Sequence, residues 1–186
     1  MSRTKACLPE GSRISDYLSV GLIAKIYPLA RVRAALAATG RESERQRELP
    51  AHVMVYYSIA LALYMQSSYR EVLRCLLEGV QWLSGSDAPL LVAGNSGISQ
   101  ARTRLGVEPL RHLHDEFVGP IAVAGTRGAW WRTWRVVSLD GSTLDIADEQ
   151  ANVERFGRPG ASRGQSAYPK LRFVSVVESG THVLFG

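Results

Sequence analysis

Cysteine is scarce: Cys7 and Cys75 stand far apart and form no metal-ligand spacing. This leaves no disulfide framework and reads as two free thiols in a reducing compartment. The start, Met-Ser-Arg-Thr-Lys-Ala-Cys, has no apolar core of the signal-peptide kind, so the expected location is the cytoplasm. Long hydrophobic runs are also missing. The longest, Val53 to Met65, is too short for a membrane span and reads as a buried helix behind Pro50 and His52. Histidine offers little: His112 and His114 are two apart and do not share a helix face, and His52 and His182 have no nameable partner. Ser142 and Thr143 have no histidine spaced to activate them, and no internal repeat is present.

What is present is a basic, ordinary globular composition. The 186 residues carry a net charge of +5 and 46% hydrophobic residues, enough for one domain or one and part of another. The excess charge favours an anionic partner such as nucleic acid. Most of the basic residues are arginine, whose planar fork suits phosphate.

The first two-thirds read as helices. Ser15-Asp16 caps an apolar-periodic stretch through Ile26, which Pro28 breaks. Leu29 to Ala38 continues as a helix, with Gly40 as its C-terminal cap. Arg41 to Glu48 is a solvated charge run. Pro50 opens the apolar helix through Met65, and Tyr69 to Leu83 makes another. A short helix from Asn95 or Ser96 to Gly106 places Ile98, Ala101 and Leu105 on one apolar face. Ser99, Gln100, Thr103, Arg102 and Arg104 fall on its other sides. That polar face reads either as an ordinary amphipathic surface or as a DNA-reading surface, since Arg and Gln suit base edges and phosphates. Val107 to Val118 forms the last helix, closed by Gly119-Pro120.

The pattern then changes. Ala129 to Leu139 is aromatic and β-branched, a strand with room for an irregular start, expected to end at Asp140 where Gly141-Ser142 interrupts it; Thr143 to Ile146 reads either as a short continuation or as a turn. Trp130, Trp131 and Trp134 read as packing residues. A carboxylate at such an edge is costly to bury unpaired, and a hard divalent cation is one suitable partner. Asp148 to Ser166 reads as a basic loop, Leu171 to Val177 as a second strand, and Thr181 to Phe185 as its hairpin partner. Arg155, Arg158, Arg163, Lys170 and Arg172 interleave with Phe156 and Tyr168, either a solvated loop or a phosphate-contacting one.

The ordered set of Leu8-Pro-Glu-Gly, Ser99-Gln-Ala-Arg-Thr-Arg-Leu-Gly106, Leu139-Asp140-Gly-Ser-Thr143, Glu154-Arg-Phe-Gly-Arg-Pro159 and Ala167-Tyr-Pro-Lys-Leu-Arg172 resembles the transposases of the insertion element 4 family. The resemblance implies an α+β chain: a helical DNA-binding domain over 8–124, then the start of a ribonuclease H-like mixed sheet over 127–186. It implies DNA transposition by two aspartates and a glutamate that hold two Mg²⁺ ions, with Asp140 as the first aspartate and a metal ligand. The other two acids are expected beyond Gly186, so the catalytic domain reads as truncated and the chain alone as inactive. The implied partners are double-stranded DNA at element ends and a second copy or a full-length transposase, with no membrane. Ser99, Gln100, Arg102, Arg104, Arg155, Arg158, Arg163, Lys170 and Arg172 are the expected DNA contacts. Alternatives are a non-catalytic DNA-binding protein or inhibitor, a minimal nuclease built from Asp140, Asp145 and Asp148, and a fragment that does not fold stably.

Overall fold

A computed structural model describes residues 21–45, 48–64, 67–84, 91–161 and 164–186. Cys7, the Leu8-Pro-Glu-Gly segment, the Ser15-Asp16 cap and Arg163 lie outside the described residues. The chain divides into two compact units, one ending at Phe117 and the other beginning at Val118.

The first unit is helical. Residues 21–26 are helical and Pro28, with no N–H to donate, ends them. The following helices are α1 (Leu29–Ala38), α2 (Ala51–Leu63), α3 (Tyr69–Ser84), α4 (Asn95–Leu105) and α5 (Glu108–Phe117). Helix α1 closes with bonds from Gly40 N to Ala37 O and from Arg41 N to Leu36 O. This pairing is a Schellman motif, and Gly40 supplies the left-handed residue at φ 64°. The expected side-chain cap on α4 is replaced by Gly94, whose carbonyl accepts from Ile98 N at 3.0 Å.

The core gathers Val32, Ala35 and Leu36 from α1 with Met54, Val55, Tyr57 and Ala60 from α2. Val72, Leu73 and Leu76 of α3, Ile98, Ala101 and Leu105 of α4 and Leu113 of α5 complete it. Helix α2 packs against α1, α3 and α4. Its β-branched and aromatic residues are mediocre helix formers, so burial rather than propensity holds it helical. Tyr57 is fully buried, and its hydroxyl donates to Tyr69 O at 3.0 Å. This satisfies a group whose unpaired burial would be costly.

The second unit contains small antiparallel sheets and one short helix. Strands β1 (Trp130–Trp131) and β2 (Trp134–Arg135) form a hairpin turning at Arg132-Thr133. Strand β3 (Val137–Asp145) pairs along its length with β6 (Lys170–Glu178). Between them lie helix α6 (Gln150–Phe156) and the minute hairpin of β4 (Gly160–Ala161) and β5 (Gly164–Gln165). The far edge of β6 takes residues 183–185, with Glu178 N bonded to Val183 O and Phe185 N to Val176 O. Helices and antiparallel sheets thus occupy separate stretches of chain, an α+β organisation.

Three local expectations are corrected. The single strand over 129–139 is broken by the turn, where Arg132 adopts φ 56°. Gly141-Ser142 does not interrupt β3, because an unbroken partner strand overrides the weak local preference and a Cβ at Gly141 would meet nothing within 4 Å. The basic loop contains α6, which buries no residue and so leaves no apolar period to read.

The second unit is tied together at the end of β6. Glu178 is fully buried. Its carboxylate accepts from Ala122 N at 2.8 Å, from Ile121 N at 3.2 Å and from the Thr181 hydroxyl, and it forms an ion pair with Arg135. Beyond that ion pair, Arg135 Nη1 and Glu178 Oε1 have no partner among the described residues, so each depends on the other. Arg135 also lies over the Trp130 ring at 4.6 Å, and Trp130 Nε1 donates to Val123 O at 2.8 Å. Next to this joint, a Cβ on Gly180 would sit 2.5 Å from Ala129 N.

Glu178→Ala strands a guanidinium and two backbone donors, and is expected to cost about 3 kcal/mol in urea unfolding followed by tryptophan fluorescence. A cost under about 1 kcal/mol, typical of an exposed pair, would contradict the role given to it. Gly180→Ala should destabilise by about 1–3 kcal/mol in the same assay, because the clash is with backbone. His52, in the first turn of α2, has its pKa lowered from 6.5 by burial and then by Arg33. The unfolded chain therefore binds the proton more readily, and stability should fall as pH drops through 6.5. His52→Gln should flatten that slope in pH-dependent melting.

Candidate functional site

Asp140 sits in the middle of β3 rather than at its end, directly opposite Ser175 of β6. Directly paired residues share a face. Asp140 therefore lies with Ser138, Ser142 and Leu144 of β3 and with Leu171, Phe173, Ser175 and Val177 of β6. Ser175 is buried, and its hydroxyl donates to the Asp140 carbonyl at 3.3 Å. The Asp140 side chain is exposed, and among the described residues none pairs with its carboxylate. The face around it mixes three serine hydroxyls with Leu144, Leu171, Phe173 and Val177 and carries no second acid.

The neighbouring acids are committed elsewhere. Asp145 is five residues on, hence on the opposite face of β3, and pairs with Lys170 at 2.5 Å. Asp148 pairs with Arg158. Among the described residues, no three His, Cys, Asp or Glu side chains come together as a metal-binding group. The minimal nuclease of Asp140, Asp145 and Asp148 therefore has no geometric support.

The basic loop brings its cations together in a shallow depression lined by Arg155, Arg158, Lys170 and Arg172, with Phe156 and Leu171 among them. These four differ in freedom. Arg158 donates to the carbonyls of Ser166 and Ala167 as well as pairing with Asp148, so it organises the loop. Lys170 is shared with Asp145, and Arg155 lies over the adjacent Phe156 ring at 5.7 Å. Arg172 is exposed opposite Thr143 on the face away from Asp140.

Helix α4 presents the polar face read from its spacing. Ile98, Ala101 and Leu105 are buried, while Ser99, Gln100, Arg102, Thr103 and Arg104 are exposed. Arg102 lies over the Tyr69 ring at 5.5 Å, and the Thr103 hydroxyl is turned back to Ser99 O at 3.0 Å. The end of the helix is held by Arg41, which donates to Arg104 O and to Glu108, both at 3.2 Å. Glu108 has its carboxyl pKa lowered first by backbone hydrogen bonding at the start of α5 and also by Arg41.

Two features escaped the sequence. Trp131 and Trp134 are exposed rather than packed, because β1 and β2 alternate faces and only Trp130 and Arg135 turn inward. Arg135 and Glu178 form a buried pair although they are 43 positions apart, a separation no local pattern reports.

Against known proteins, the model of the insertion element 4 transposase N-terminal family matches residues 17–115. The chain is 22% identical over 173 residues to InsZ of Escherichia coli (strain K12), described as a transposase, covering 89% of this chain and 53% of InsZ. It is 25% identical over 171 residues to the transposase InsG for insertion sequence element IS4 of the same strain, covering 92% of this chain and 35% of InsG. The chain thus spans about half the length of one of these relatives and about a third of the other. No solved structure matches it. Among the described residues, no helix is long and apolar enough to cross a membrane. With more than half its length matched, this chain belongs to the insertion element 4 transposase N-terminal family.

Proposed function

We propose that the chain is the DNA-binding N-terminal part of an insertion-element transposase, joined to the first strands of a ribonuclease H-like catalytic sheet. The observation that carries the reading is Asp140: an unpaired, exposed carboxylate mid-strand, with three serines on its face and no second acid, in a chain of this family. The antiparallel run of β3, β6 and residues 183–185 supports the fold part of the proposal. The domains would divide as 8–124 and 127–186. Ser99, Gln100, Arg102 and Arg104 of α4 would meet one stretch of duplex. Arg155, Lys170 and Arg172 would meet phosphate, with Arg158 holding their loop in shape and Arg163 beside them in sequence. The partner would be double-stranded DNA at element ends, in the cytoplasm, with a second copy or a longer transposase completing the assembly.

The transposases of this family imply Mg²⁺ at three acids, of which Asp140 would be the first. The described residues do not fit a complete site. One carboxylate among serines falls short of the two or more that a catalytic pair of hard cations needs. No catalytic step is therefore assigned to these residues alone, and the other acids would belong to the length of the relatives that this chain does not span. The same observation favours a second reading, a DNA-binding protein that inhibits a full-length transposase by joining its assembly.

The test is a gel shift of duplex DNA with this chain at rising salt, with and without Mg²⁺. Binding should weaken steeply with salt and no strand should be cut. Removing one phosphate-contacting cation, as in Arg172→Ala, should lower the slope of log affinity against log salt by about 1. Absence of binding at low salt would overturn the proposal. Cleavage lost in Asp140→Ala would overturn the assignment of the remaining acids to another segment.

A further inference from the structure

The β1–β2 hairpin has two unlike faces. On one, Trp130 and Arg135 are directly paired. They are fixed by the Trp130 bond to Val123 O, the stacking of Arg135 on the indole and its ion pair with Glu178. On the other, Trp131 and Trp134 are directly paired and stand 61% and 71% exposed. A tryptophan so exposed buries little of its large apolar surface, and two on one face form a patch that calls for a ligand. The anchored face holds that patch in a set position.

The charge around it selects the ligand. From Val118 to Leu139 there is no Asp or Glu, and Arg127, Arg132 and Arg135 are present. Arg135 is spent on Glu178, whereas Arg127 and Arg132 are exposed. Arg132 occupies the turn with its guanidinium 4.7 Å from the Trp131 ring. An aromatic face carrying Arg132, with the exposed Arg127 near it in sequence, suits a flat π-system joined to an anion, the chemistry of a nucleotide in an unpaired strand. A purely apolar protein partner would draw nothing from the arginines.

We propose that the Trp131–Trp134 face stacks the bases of single-stranded DNA, with Arg127 and Arg132 on its phosphates. This rests on the reading of the chain as a DNA-binding protein and adds a second mode to it, since bases inside a duplex present no free face.

The experiment titrates the whole chain with a twelve-nucleotide oligothymidylate, an abasic oligomer of equal length and a duplex. It follows tryptophan quenching and anisotropy. The oligothymidylate should bind about tenfold more tightly than the abasic strand, as stacking of a base or so would give. Trp131→Ala/Trp134→Ala should remove that preference while leaving the duplex affinity and the salt slope unchanged and lowering the thermal melt only slightly, because the two side chains are mostly exposed and lose little beyond their cross-strand contact. Arg127→Ala/Arg132→Ala should instead lower the salt slope for single strands. Equal affinity for the two single strands, with duplex still bound, overturns this inference alone. Failure to bind any of the three overturns the DNA-binding reading with it. Self-association abolished by the double tryptophan variant, without a preference for bases, would assign the face to protein contact and overturn the inference.

Discussion

A carboxylate taken fully out of water must have its lone pairs met, and in this protein Glu178 meets that demand by drawing three other stretches of chain to one point. Two backbone amides at Ile121 and Ala122 bring in the segment that opens the second unit. Thr181 fixes the turn after β6. Arg135 brings the hairpin, and through its stacking on Trp130 it sets which face of that hairpin turns inward. The sheet buries little apolar surface of its own: every residue of β3 is exposed. In such a unit a polar joint can do what a hydrophobic core does elsewhere. The near approach of Gly180 to Ala129 follows from it, since the strand end and the hairpin are held too close for any side chain between them.

The helical unit was largely legible in the sequence because its signals are local. The spacing of Ile98, Ala101 and Leu105 reports a buried stripe, and the structure buries all three. Pro28, Gly40 and Gly106 mark ends that a missing N–H or a left-handed φ makes physically sharp. The α4 cap was misread because Asn95 and Ser96 resemble capping residues, yet the helix begins one residue earlier at a glycine carbonyl.

The second unit was less legible because its determinants are distant in sequence. Whether β3 stops at Gly141 depends on a partner strand that begins at Lys170. Which tryptophans pack depends on Glu178. The sequence singles out Asp140 but sets it at a strand end; its place in mid-strand and its companions on the sheet face depend on the register with β6, which also places Asp145 on the other face. The basic loop was read for charge and missed for architecture: Arg158, an apparent phosphate ligand by sequence, spends its guanidinium on two carbonyls and an acid.

The contrast between the two units bears on how the chain is made. Helices with short connections assemble quickly, and domains tend to fold as units as the chain emerges. The core runs from Ile23 to Leu113 with Phe117 packed against it, all within the helical unit. A body built from such local contacts is expected to form faster than the sheet, whose long strands β3 and β6 are separated by the stretch from Asp145 to Lys170. The sheet then arrives with Leu139 and Val174 bare on one face and with β3 partnered on one side by β6. Such a sheet, with an open edge on β3 among the described residues and bare apolar side chains, is a surface on which another chain can pair.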